Sequence, residues 1–312
     1  MQKAFLYSVY LFCMLLVLTA CGQTKEEQME EYLNELYKNI TVFKERPVYG
    51  VQINKTGCKL VIEFEGSIDY RLTENNGESM MLPLNGIIIK SGVQTATIRI
   101  YPKDGEDLVT KYAHVKLRFT EAPDKKSGLN EYKTIATFES PTNIGELKLP
   151  YYESKVTFTA NVPFDYSKEL DQAKDLKTIK DIENKVVAKY NSIIKLGEQF
   201  DEVGYLKEQM HNSIIHYSSG YFTDKKTIKE SHEVRAALTD ERVYNREILP
   251  VENYTMQFYA DNKIVALWQK NNNPMIYIKG NYKYEDGEEA YAEGGDPIFL
   301  YMPKGSKELK IW

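Results

Sequence analysis

The sequence predicts a mixed fold: an N-terminal all-β sandwich of immunoglobulin-like architecture, followed by an α+β domain whose helices precede an antiparallel meander sheet. Three observations carry that expectation. Apolar residues recur at a period of two from about residue 45 to 164, and at three and four from 165 to about 238. Short β-branched and aromatic runs then return, separated by Asn- and Asp-containing turns.

Taking the elements in order, residues 1–20 hold one charge, Lys3, then an apolar run from Ala4 to Leu18 and the small pair Thr19-Ala20. These are the three regions of a secretory signal peptide. The run is broken by Ser8 and Tyr10 and falls short of the roughly 20 apolar residues that span a bilayer. Leu18-Thr19-Ala20-Cys21 resembles the lipobox of bacterial lipoprotein precursors. The resemblance implies that the Cys21 thiol receives a diacylglycerol, that cleavage falls just before it, and that Cys21 becomes the acylated first residue. Residues 21–25 then read as a polar tether. Gly22 is permissive for the outer membrane in proteobacterial lipoproteins, and Lys25-Glu26-Glu27 is similar to the export signal of some Bacteroidetes surface lipoproteins. The same acids equally suit the positive end of a helix over 26–41, with Met29, Tyr32, Leu33, Leu36 and Tyr37 as its apolar stripe. That stripe is expected to pack on the first domain.

The sandwich is assigned to residues 45–164. Its strands are read at Val48–Ile53, Lys59–Glu65, Thr95–Tyr101, His114–Phe119, Lys133–Phe138 and Lys155–Ala160. Turns are expected at Asn76-Gly77, Asn85-Gly86, Asp104-Gly105 and Ser127-Gly128. The immunoglobulin likeness is architectural only, since no cysteine pair or core tryptophan accompanies it.

The α+β domain is assigned to residues 165–312. A long apolar stripe from Leu170 to Ile193 is expected to end near Gly197, with further helices at Gly204–Tyr217 and Lys226–Leu238. Strands follow at Tyr254–Tyr259, Ile264–Trp268, Met275–Ile278, Ile298–Tyr301 and Leu309–Trp312, the first three forming a meander through Asp261-Asn262 and Asn271–Asn273.

Composition narrows the function. The net charge is −5, and removing residues 1–20 takes only Lys3, so the mature chain is more acidic still. A nucleic-acid partner needs a concentrated basic face, and none is expected. Of three cysteines, Cys13 leaves with the signal and Cys21 carries lipid, so Cys58 has no partner for an intramolecular disulfide and reads as a small buried hydrophobe. Twenty-four tyrosines suit half-buried sheet faces and contact surfaces.

No chemistry-bearing spacing stands out. His211 and His216 are five apart and lie on different helix faces, and no HExxH or CxxC pattern supports a metal. Ser218-Ser219-Gly220 lacks the first glycine of a nucleophile elbow. The sharpest candidate is the segment YEDGEEAYAEGGD, read as a loop from Tyr284 to Asp296. Its carboxylates Glu285, Asp286, Glu288, Glu289, Glu293 and Asp296, interleaved with Tyr282, Tyr284 and Tyr291, form a charged contact surface for a basic protein partner. Calcium in the 284–296 loop is the weaker alternative, because the D-x-D-x-D-G ligand rhythm is missing. No catalytic residue, resident metal or other cofactor is expected.

The function expected from these features is a lipid-anchored envelope protein, held to the membrane through its N-terminal lipid with the outer membrane favoured. It acts as a non-enzymatic protein-binding module, one version being an inhibitor or immunity protein against an envelope-acting toxin. The rival classes are an envelope hydrolase acting on glycan or peptide, and a structural or assembly lipoprotein.

Overall fold

The computed structural model describes residues 23–233, 237–284 and 286–312, so the signal segment, Cys21 and Glu285 lie outside the described residues. The fold is mixed and mostly antiparallel β, with four sheets and six α-helices among the described residues.

Helix α1 (Lys25–Asn39) opens on a capping box: Thr24 Oγ1 accepts from Glu27 N at 3.2 Å, and Thr24 N donates to Glu27 Oε2 at 2.9 Å. Lys25 therefore belongs to the helix and not to a tether. Tyr32, Leu33 and Leu36 bury against Tyr217 and Ile228, with Leu206, Met210 and Ile214 packed around them. The stripe covers helices of the C-terminal half, not the N-terminal sheets on which the sequence placed it. The sequence pattern fixes which face is apolar but not which surface it meets.

Eight strands follow: β1 (Val48–Thr56), β2 (Lys59–Phe64), β3 (Asp69–Leu72), β4 (Glu78–Pro83), β5 (Gly92–Tyr101), β6 (His114–Ala122), β7 (Lys133–Glu139) and β8 (Tyr152–Ala160). They form two antiparallel sheets ordered β4-β1-β6-β7 and β3-β2-β5-β8. Ile53 opposite Leu117 in one sheet and Ile62 opposite Ile98 in the other all bury in one shared core. Period two explains this: β6 alternates exposed His114, Lys116 and Arg118 with buried Val115, Leu117 and Phe119. Of the four predicted glycine turns, only Gly105 has positive φ, at 81°. A tight left-handed turn unforeseen in the sequence sits at Gly57, where φ is 63° and a Cβ would lie 2.3 Å from the Tyr112 carbonyl oxygen.

The C-terminal half contributes α2 (Ser167–Gln172), α3 (Ile182–Glu198), α4 (Glu202–Glu208), α5 (Met210–Ser219) and α6 (Lys225–Glu233). The predicted stripe from Leu170 to Ile193 is interrupted by a 3-10 turn at Leu176–Thr178, and the predicted Gly204–Tyr217 helix is two helices joined at Gln209. Helix α3 ends at Glu198, one residue past Gly197, as expected from the sequence, with the glycine itself in its last turn. A Cβ there would stand 2.4 Å from Leu238 Cδ1, so the glycine serves close approach.

Strands β9 (Val243–Ile248), β10 (Tyr254–Tyr259), β11 (Ile264–Gln269), β12 (Ile276–Lys283), β13 (Glu289–Asp296), β14 (Phe299–Tyr301) and β15 (Lys310–Ile311) complete the chain. The predicted meander holds for the β10–β11 hairpin but stops there. Sheet β10-β11-β14-β15 takes β11 to β14, while β12 joins a separate sheet ordered β13-β12-β9. Between them Trp268 and Pro274 make only an isolated bridge. Proline has no N–H to extend the ladder, which is why the chain changes sheets here. The continuous run Ile264–Trp268 is buried on both faces: Val265 and Leu267 face Val186, Tyr190 and Ile193 of α3, whereas Ala266 and Trp268 face a second core with Leu170, Ile215 and Trp312. No described helix is long and apolar enough to cross a membrane.

Candidate interaction face

Residues Glu289–Asp296 form an edge strand, so the segment read from sequence as a loop is mostly one arm of the β12–β13 hairpin. Alternation along it divides the predicted residues. Glu289, Tyr291 and Glu293 are exposed on one face, and Tyr291 keeps 64% of its surface in solvent. Asp296, on the other face, accepts a 2.8 Å hydrogen bond from the Tyr205 hydroxyl, which in turn accepts from Gln209 Nε2 at 3.0 Å. Burial raises the Asp296 carboxyl above its usual range, opposed by the Tyr205 bond, so the half-buried Asp296 is turned inward, away from the exposed face of β13. Tyr282 also points inward; it packs on the core shared with Tyr190 and Ile193 of α3, lies edge-on to Tyr284 with centroids 5.0 Å apart, and has the Arg242 guanidinium 5.1 Å from its ring centroid.

The outward face spans three strands. On β12 the alternation brings Tyr277, Lys279, Asn281 and Lys283 outward, while Ile276 and Ile278 enter the core. Register then sets Lys279 between Glu293 on β13 and Glu247 on β9, Asn281 between Tyr291 and Tyr244, and Lys283 opposite Glu289. Opposite charges directly across a sheet favour the pairing. Tyr277, Tyr291 and Tyr244 supply the aromatic surface. Tyr291 donates to Glu293 Oε2 at 3.3 Å. The Tyr244 phenol is held above its ordinary pKa, first by its hydrogen bond to Glu289; for Tyr277 and Tyr291 burial leads, followed by the charge of Glu293. All three remain neutral hydrogen-bond donors at physiological pH. Next to them a shallow cleft of about 530 Å³ is lined by Glu241, Arg242, Tyr244, Lys283, Tyr284 and Glu289.

Local sequence explains why the hairpin forms. Gly287, with φ of 89°, closes the turn, where Tyr284 N donates to the Glu288 carbonyl at 2.8 Å and Gly287 N to the Tyr284 carbonyl at 3.0 Å. Gly295 permits close pairing, since a Cβ there would lie 2.3 Å from the Ile276 carbonyl oxygen. Gly280 sits at the bulge where β12 slips against β9. Carboxylates along β13 are what an edge strand carries to discourage unwanted strand addition.

The described carboxylates do not converge as a cation-wrapping loop would require. Asp286 Oδ1 accepts from Glu288 N at 3.0 Å within the turn, whereas Asp296 lies at the far end of an eight-residue strand, about 25 Å away. Among the described residues no three His, Cys, Asp or Glu gather as a metal centre. The three histidines with described side chains are separate as well. His114 is exposed beside Glu139 at 3.3 Å; His211 stacks on Tyr301 with centroids 5.2 Å apart; His216 stacks on Phe222 at 6.0 Å. Burial lowers the pKa of His211 and of His216. Cys58 is fully buried, and burial pushes its thiol up to about 11.

Sequence reasoning found Glu289, Tyr291 and Glu293 but missed Tyr244, Glu247, Tyr277 and Lys279 as parts of the face. The weak alternation of VYNREI was the available signal for β9. Comparison with protein-family models, curated proteins and solved structures found no match to this chain.

Proposed function

We propose that the protein is a lipid-anchored component of a bacterial envelope that binds another protein through the outward face of the β12–β13 hairpin and β9. The observation that carries this reading is the juxtaposition of Tyr244, Tyr277 and Tyr291 with Glu247, Glu289 and Glu293 on one solvent-facing sheet surface. Rigid aromatics with few rotatable bonds bury large area at low entropic cost, and carboxylates around them select a partner with basic side chains. The lipobox motif Leu18-Thr19-Ala20-Cys21 supports the anchor, with the outer membrane as its favoured location. In the finer reading of the fold, residues 45–164 are an immunoglobulin-like sandwich and residues 165–312 an α+β domain that carries the face. An inhibitor or immunity protein against an envelope-acting toxin is the concrete version, since an anchor would hold it where such a toxin acts.

Two experiments test this. Cys21→Ser should abolish acyl labelling and release the protein from membranes; retention of label would remove Cys21 from the account. Capture of envelope proteins on the intact chain and on a Tyr244→Ala/Tyr277→Ala/Tyr291→Ala variant should differ by tenfold or more for a specific partner. Equal capture by both would remove the face.

A further inference from the structure

We propose that the anchor stands the molecule with its C-terminal half against the bilayer, so that the tip of the β12–β13 hairpin faces the lipid headgroups and the eight-stranded N-terminal half points away. This rests on the reading of Cys21 as the acylated residue. Chain order suggests the opposite, because the strands β1–β8 come first after the anchor. The fold reverses it.

The start of α1 is fixed to the C-terminal half. Lys25 Nζ lies 3.2 Å from Glu202 Oε2 at the start of α4 and 3.7 Å from Glu241 Oε1. Glu241 and Arg242 line the cleft with Lys283, Tyr284 and Glu289, and Lys283 N donates to the Arg242 carbonyl at 3.3 Å. The hairpin tip is therefore linked to the start of α1 through Glu241 and Arg242. Three residues lie between Cys21 and Lys25, so four Cα-to-Cα steps give a reach of at most about 14 Å.

Two elements measure the distance from that corner to the N-terminal half. Helix α1 has 15 residues, about 22 Å of rise, and only after its end does the chain reach Arg46, which pairs with Asp124 at 2.9 Å. Strand β12 has eight residues, about 26 Å, and the turn just before its start meets the N-terminal sheets: Asn271 accepts from Lys59 Nζ at 3.1 Å and Asn272 Oδ1 from Arg71 Nη1 at 3.0 Å. Both elements span the distance between the anchor corner and the eight-stranded half, α1 leaving the corner and β12 returning to it. At the tip, Tyr284 is 50% exposed, next to Lys283 and Arg242. Tyrosine and long cationic side chains suit the headgroup layer, while Asp286 and Glu288 keep the contact at its polar surface. A partner on the Tyr244–Tyr291 face then sits beside the bilayer, at the height of a membrane-embedded protein's juxtamembrane segment.

Energy transfer to lipid tests the orientation. The full lipidated chain carries one introduced cysteine, Glu288→Cys, Leu129→Cys or Tyr112→Cys, labelled with a donor and reconstituted in phosphatidylethanolamine–phosphatidylglycerol vesicles that contain a headgroup acceptor. Leu129 and Tyr112 are 92% and 66% exposed in the N-terminal half, and buried Cys58 stays unlabelled. Transfer from position 288 should be at least twofold that from either other site. Equal or greater transfer from 129 or 112 overturns the orientation and leaves the anchor standing. An N-terminal peptide whose mass lacks the diacylglycerol overturns the anchor reading and this inference together.

Discussion

Tyr259 donates a 2.8 Å hydrogen bond to Asp69 Oδ2, a residue 190 positions earlier in the chain, and so joins the last third of the molecule to its first sheets. The same hydroxyl accepts from Trp268 Nε1 at 2.8 Å and from Arg71 Nη2 at 3.1 Å. Arg71 also pairs with Asp69 at 2.8 Å and lies 3.6 Å over the Trp268 ring. Asp69 is fully buried and its second oxygen, Oδ1, has no hydrogen-bond partner among the described residues. Burial raises the carboxyl pKa, with the charge of Arg71 opposing. The cluster thus depends on every partner it has.

Removing one member should be costly. Arg71→Met leaves a buried carboxylate without its cation and is expected to destabilise by about 3–5 kcal/mol, whereas Asp69→Leu/Arg71→Met removes both charges and should cost less. Tyr259→Phe should cost about 1–3 kcal/mol through unmet hydrogen bonds. Urea unfolding of the four proteins checks the ranking, and equal losses in single and double variants would contradict it.

Gly197→Ala sets propensity against packing. In an open helix alanine is favoured by about 1 kcal/mol. Here the new methyl would stand 2.4 Å from Leu238 Cδ1 and 3.0 Å from the Leu238 carbonyl oxygen, and the Gly197 carbonyl holds the Arg246 guanidinium. Overpacking of this kind costs about 1–3 kcal/mol, so net destabilisation is expected and a lowered thermal midpoint would register it.

Much of this fold was legible, and the two strands missed around β12 share one cause. Lys59–Phe64 and Ile264–Gln269 are dense in β-branched and aliphatic residues, and both were placed correctly. Strands β9 and β13 were not, because Asn245, Arg246, Glu293, Gly294 and Gly295 carry little strand preference of their own. Pairing with β12 from both sides supplies what they lack. The candidate face inherited that blindness: without β13 as a strand, Asp296 could not be seen to point inward, and without β9, Tyr244 could not be brought to Asn281. The surface that α1 covers was equally hidden, since a stripe of Tyr32, Leu33 and Leu36 names no partner.

Acid should weaken the fold through His216. Burial, with the charge of Lys125 adding to it, holds this imidazole below its ordinary pKa. As pH falls, the unfolded chain takes up the proton first, near pH 6.5, so the stability that neutral His216 contributes above that pH is lost on the way down. His211 acts in the same direction. His216→Gln should flatten the decline in urea midpoint between pH 7.5 and 5; an unchanged slope would contradict the assignment.

Cys58 should be inert in the native protein. Its thiol is fully buried and raised to about 11 by burial, so the reactive thiolate is scarce at pH 8. A thiol reagent at pH 8 should leave the folded mature chain unmodified at this position and modify it on unfolding in urea. Native-state labelling would show that the strand end at Lys59 opens.

The central claim, that the outward hairpin face binds a protein, is tested most directly by photo-crosslinking in intact cells with benzoylphenylalanine at Tyr291, and at Leu129 as the reference exposed position. The account predicts a discrete adduct from position 291 that is absent from 129 and is lost when Glu289 and Glu293 are changed to lysine. No adduct at 291, or the same adducts from both positions, would contradict it.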